Sequence, residues 1–119
     1  MGVLPISSSL KEMMEEAADM LHDSLDAFVR SDAEAAREIC RRDERVDRRN
    51  RQIIESLLVL MHEDGKKVDQ AMELISASKN LERIADHATN IAEDVVYLVS
   101  GDIIRHRSLA KGEGKAPKG

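Results

Sequence analysis

Apolar residues recur along this chain at steps of three and four, the spacing of helices that bury one side. Leu10, Met13, Met14, Ala17, Leu21, Leu25 and Phe28 form one such stripe and predict a helix over 10–30. A second series, Ala36, Ile39, Cys40, Val46, Ile54, Leu57, Leu58 and Met61, predicts a helix over 32–63. A third, Leu81, Ile84, Ala85, Ala88, Ile91, Ala92, Val95, Leu98 and Val99, belongs to a helix expected over 66–100. Ser9 with Glu12, and Ser31 with Glu34, have the spacing of capping boxes, in which each side chain satisfies an orphan amide of the first turn. Gly65 is placed to end the second helix, and Gly101 to end the third in a left-handed conformation. At about 1.5 Å per residue the first helix is roughly 30 Å long and the others roughly 50 Å. Short connections make consecutive helices antiparallel neighbours. The expectation is an all-α fold: an antiparallel up-down-up three-helix bundle with long second and third helices, filling 1–106. Residues 107–119, basic and Gly-rich, read as a disordered tail.

Composition sharpens this picture. The six Gly and two Pro all fall where helices can begin, end or give way to a tail. Phe28 and Tyr97 are the only aromatic residues, so the core must be aliphatic and rich in Ala and Met. The single Cys40 cannot form an internal disulfide, which makes a reducing compartment the default. No apolar run approaches the ~20 residues of a membrane span. The start, MGVLPISSSL, lacks the basic and apolar regions of a signal peptide, so a cytoplasmic location is expected. A net charge of −5 argues against nucleic acid as the main partner.

The chemistry lies where polar groups break the pattern. Asp43, Asp47 and Asn50 fall within the apolar stripe of the second helix, where leucine would be expected. A carboxylate facing a core is costly unless it is paired or liganded. On the third helix Glu82, Asp86, Asn90 and Glu93 line up opposite the apolar stripe, at steps of four, four and three. Like charges at i, i+4 destabilise a helix by roughly 0.2–0.5 kcal/mol per pair. If the two helices are neighbours, Asp43, Asp47, Glu82 and Asp86 offer carboxylates and Asn90 a neutral oxygen, a donor set suited to hard cations. The same spacing also allows a solvated face neutralised by Arg42, Arg45, Arg48 and Arg83. His87 points to another flank.

Other residues carry less. His22 lies three after Asp19, but the chain has no Glu-x-x-His, which counts against a ferritin-like di-iron site. His62 reads as a surface residue and Cys40 as core. The basic run Arg41-Arg42, Arg48-Arg49 and Arg51 is interleaved with Glu38, Asp43, Glu44 and Asp47, and so reads as a mixed-charge surface. There is no phosphate-cradling Gly loop, nucleophile elbow or triad, and no enzymatic activity is expected.

The stretch ERIADHATNIAEDVVYLVSG, residues 82–101, closely resembles the third-helix signature of the PhoU phosphate-transport regulators. The usual family form differs mainly by Gly where this chain has Ala85. Asp43-Glu-Arg-Val-Asp47 resembles the family's acidic D-x-x-x-D on the second helix, and the likeness spans 10–106. Family members carry such acidic pairs on two helices of each repeat, and several bind metal clusters there. The resemblance thus implies iron, manganese, magnesium or zinc on Asp43, Asp47, Glu82 and Asp86, with Asn90 beside them. It also implies negative regulation of phosphate uptake and phosphate-starvation signalling. That regulation would act through contact with a phosphate ABC transporter and a sensor histidine kinase, leaving the protein peripheral to the membrane through those partners. Typical members contain two three-helix repeats, whereas this chain has room for one. A homodimer would restore the pair; alternatively, the chain is the regulatory domain of a larger phosphate transporter. The competing readings are a metal-binding helical bundle with its own chemistry and a plain helical oligomerisation module.

Overall fold

The structure, a computed structural model, describes the backbone of residues 3–110 and the side chains of residues 6–101. Three long helices form it: α1 (Val3–Arg30), α2 (Ala33–Glu63) and α3 (Val68–Ala110), with a single 3-10 turn, Gly65–Lys67, before α3. No strand occurs among the described residues.

The helix ends differ from the sequence expectation, each for a local reason. α1 begins ahead of the Ser9–Glu12 capping box, because Ile6 is buried in the core and draws the helix back with it. Pro5 falls in its first turn, where a missing N–H removes no helical bond. Ser31 does not cap α2. It takes φ 53°, and its N–H bonds to Phe28 O (3.2 Å) while that of Asp32 bonds to Ala27 O (2.9 Å). This pair of bonds is the Schellman closure of α1, built without glycine. Asp32 then caps α2, its carboxylate accepting from Ala35 N at 3.0 Å.

Asp64, rather than Gly65, closes α2. Its N–H reaches Leu60 O at 2.9 Å, and its carboxylate accepts from Lys66 N at 3.0 Å. Gly101 does not end α3, which runs on to Ala110 with Gly101 buried inside it. Nothing in the segment DIIRHRSLA breaks a helix, and an interior glycine costs only about 1 kcal/mol. Residues 107–110 of the expected tail are therefore helical, and 111–119 lie outside the described residues.

Each helix packs on both others. Arg42 on α2 reaches Glu16 and Asp23 on α1, and Arg49 reaches Glu12, so rising numbers on α2 meet falling numbers on α1. Asn50 meets Ser78 on α3, and Asp43 meets Asp86. These contacts are compatible with an up-down-up path.

The core is small-residue-rich. Ala85, Ala88 and Ala92 let α3 lie close, and Met13, Met20, Ile39, Val46, Leu57 and Val95 fill the space between. Burial on α1 keeps Met13 and Ala17 of the expected stripe and then shifts by one position, to Met20, Ser24 and Ala27. Met14, Leu25 and Phe28 are half-exposed instead, as are Leu58 on α2 and Leu98 on α3, while Ile84 is about one-third exposed. The apolar arcs of α1 and α3 are wider than two neighbours can cover. Small side chains take the crowded centre and large ones are left at the edge. At mid-bundle, Ser78 Oγ donates to Asn50 Oδ1 (2.6 Å) and lies 3.7 Å from Met13 Sδ. This buried polar contact ties one point of each helix to the others.

Candidate metal centre

The two grooves flanking α2 have opposite electrostatics. Toward α1, Arg42 holds Glu16 and Asp23, each at 2.8 Å, and Arg49 pairs with Glu12. The Arg42 hydrogen bond holds the Asp23 carboxyl below the usual carboxylate range. Arg41 pairs with Glu38 on its own helix, at 2.8 Å. Three arginines of the basic run are thereby engaged, as the mixed-charge reading expected.

Toward α3 the acids face one another. The stripe position that sequence assigns to leucine puts Asp43 and Asp47 at the edge of the α2 core face, and their helical spacing aims both at α3. Ligand oxygens of Asp43, Asp47 and Asp86 all lie within 4.8 Å of one another. Glu82, one turn before Asp86, lies beside the Asp47 carboxyl. Burial pushes the Glu82 carboxyl above its ordinary value, and the neighbouring Asp47 carboxyl, followed by the charges of Asp86 and Asp43, adds to the rise. Asn90 is exposed and makes no hydrogen bond to the acids.

Asp43 is the telling residue. Its Oδ1 is buried without a hydrogen-bond partner. Thr89 stands beside it, but its hydroxyl donates to Ala85 O at 2.9 Å. Burial raises the Asp43 carboxyl most; Thr89 opposes the shift, and Asp47, Asp86 and Glu93 reinforce it. Among the described residues no Arg or Lys forms an ion pair with Asp43, Asp47, Glu82 or Asp86. Arg42, one of the four arginines the sequence offers as neutralisers, is turned to α1.

Thr89 and Glu93 are the neighbours that site reasoning from sequence passed over. Glu93 was visible as the next rung of the α3 ladder. Cys40 is only partly buried, and burial, followed by Glu93 and Asp43, raises its thiol, which disfavours the reactive thiolate. His22 leans on Asp23 rather than Asp19, and His62 and His87 are exposed.

A buried oxygen with no donor, inside a convergence of carboxylates with no paired cation, fits a hard cation better than it fits a structural ion pair. Carboxylate oxygens suit manganese, magnesium or iron by donor type; no histidine joins the cluster.

A family model described as the PhoU domain matches residues 10–95. Among curated proteins, the Pseudomonas aeruginosa phosphate-specific transport system accessory protein PhoU homolog is 40% identical over 106 residues, 89% of this chain and 41% of that protein. Its Pseudomonas putida counterpart is 36% identical over 102 residues, 86% of this chain and 40% of that protein. The accessory protein PhoU of Escherichia coli K12 is 35% identical over 102 residues, 86% of this chain and 42% of that protein. The chain thus spans about two-fifths of the length of these relatives. No solved structure matches it significantly. With the family's domain covering most of the three helices, the chain belongs to the PhoU domain family.

Proposed function

We propose that this chain is a regulatory module of phosphate transport that works by protein–protein contact and carries a metal ion on the α2–α3 acidic face. The observation that carries the metal is the buried, partnerless Asp43 Oδ1 beside Asp47 and Asp86. The names of its relatives, accessory proteins of a phosphate-specific transport system, supply the transport context. When bound, a cation supplies positive charge that neutralises the acids and fixes α2 against α3. Asp43, Asp47 and Asp86 would hold it, with Glu82 as a further carboxylate beside Asp47 and Asn90 as a neutral oxygen at the exposed edge. The metal is iron, manganese, magnesium or zinc. The module acts in the cytoplasm as a homodimer, meeting a phosphate ABC transporter and a sensor histidine kinase and damping uptake and starvation signalling when phosphate is plentiful. It is not an enzyme.

The test is made in a bacterium deleted for its own PhoU-type protein. Expression of this chain lowers a phosphate-starvation reporter in phosphate-rich medium, and the Asp43→Ala, Asp86→Ala double variant, expressed to the same level, does not. A reporter unmoved by the well-expressed wild-type chain overturns the regulatory reading.

A further inference from the structure

The third groove of the bundle, between α1 and α3, has neither the ion pairs of the first nor the acids of the second. On α1, Met14, Ala18, Leu21, Leu25 and Phe28 follow one another at steps of four, three, four and three, an unbroken coiled-coil seam. It lies beside the buried series rather than within it: Met14, Leu25 and Phe28 are half-exposed, and Leu21 is partly buried. On α3, Ala77, Ile84, Ile91 and Leu98 recur at sevens, and Leu98 is 54% exposed. An open groove lined by Met14, Ala77 and Leu81 joins the two series at one end. The Met13–Ser78 contact fixes their level there. Helices that bury their apolar arcs on two neighbours have no need of a second heptad seam; a fourth helix does.

We infer that this α1–α3 face is the docking surface for a second copy of the chain, a reading that rests on the homodimer proposed above and gives it a location. Two observations favour a second copy. The seam belongs to two helices of the same bundle, so a two-fold axis sets the α1 series of one copy against the α3 series of the other, as an isologous interface requires. The edges carry both signs, Lys11 and Glu15 on α1 and Arg83 and Asp94 on α3, all exposed, so a like chain is not repelled. The described residues leave this face bare.

The size is adequate. From Ala77 to Leu98 the face is about 30 Å long, and two helices side by side are about 20 Å across, giving on the order of 600 Å² before edge contacts. A standard interface takes about 800 Å² from each partner. On α3 this seam lies roughly 160° around the helix from Glu82, Asp86 and Glu93, so dimerisation leaves the acidic face open.

Analytical ultracentrifugation of the full chain gives the test. Wild type is expected to sediment as a dimer of the 13.3 kDa chain at about 50 μM. Leu25→Asp with Leu98→Asp, both at half-exposed positions, is expected to be monomeric with unchanged helical circular dichroism. Leu58→Asp with Val59→Asp, exposed on α2, is the control and stays dimeric. A monomeric wild type overturns the proposal, as does a dimer that survives the seam variant. Metal content, measured on the same samples, is expected to be equal in wild type and seam variant, so loss of the dimer and loss of the metal are read separately.

Discussion

Replacing Asp43 by asparagine should stabilise the metal-free protein and abolish its response to metal. Two unit charges 4.8 Å apart repel by about 0.9 kcal/mol at the dielectric of water and by about 3.5 kcal/mol at an effective value of 20. Asp43 faces two such neighbours, Asp47 and Asp86, but the groove is partly solvated, so we take the low end, about 1–2 kcal/mol in total. Asparagine has nearly the same shape, removes the buried charge, and its amide can donate to the remaining carboxylates. For a domain of this size about 1 kcal/mol corresponds to roughly 4 °C in Tm, so the metal-free variant should melt about 4–8 °C higher.

Metal reverses the order. A cation at 100 times its Kd stabilises the wild type by about 2.7 kcal/mol, roughly 10 °C, and the variant loses that gain. The pH dependence follows the same logic. A carboxyl raised above its ordinary 3.8 contributes stability that is full below that pH and is lost as pH rises through the folded value. Metal-free wild type should therefore gain on acidification from neutrality towards pH 4 relative to Asp43→Asn. Thermal melts at 222 nm, with and without 1 mM manganese, read all three effects. A metal-free Asp43→Asn protein that melts lower than wild type would show the carboxylate to be satisfied within the fold and would refute the reasoning.

The other predictions concern the frame that holds this face. Ser78→Ala strips Asn50 Oδ1 of its buried donor and should cost about 1–3 kcal/mol in urea denaturation. Ser31→Gly relieves a left-handed residue and should raise stability by about 0.5–1 kcal/mol in the same assay, whereas Ser31→Val should lower it. Arg42→Ala removes the partner of Glu16 and Asp23 and should destabilise by about 1 kcal/mol at pH 7. Asp23 is held below its ordinary 3.8, so it contributes stability above that pH which is lost as pH falls through the folded value. The acid limb of the Arg42→Ala stability curve should accordingly be shallower below pH 4.

Three helices and their turns were legible because periodicity and turn spacing are local. What periodicity could not supply is how much of an apolar arc a neighbour covers. Met14, Leu25 and Phe28 satisfy the helical period as well as Met20 and Ala27 do, and only the positions of α2 and α3 decide which set is buried. Gly101 carries the composition of a terminator, but a helix already packed over many turns absorbs the cost of one glycine. Ser31 and Gly65 show the converse: the left-handed closure fell to a serine, while at Gly65 an added Cβ would meet nothing within 4 Å.

The acidic site was legible in part. Asp43 and Asp47 stood out as charges in an apolar stripe, and the i, i+4 spacing placed Glu82 and Asp86 opposite them. Whether arginines neutralise them was beyond sequence, because the choice of Arg42 between two grooves depends on Glu16 and Asp23, some 20 residues away on another helix. Thr89, whose hydroxyl is engaged by Ala85 O, likewise shows itself only in three dimensions.

Native mass spectrometry of protein purified without chelator, paired with elemental analysis, reads directly whether the α2–α3 acidic face carries a metal. If it does, iron, manganese, magnesium or zinc is expected in fixed ratio to the chain, and absent from the Asp43→Ala, Asp86→Ala variant at unchanged helicity. Wild-type protein that stays metal-free after incubation with each of these ions would contradict a metal on that face.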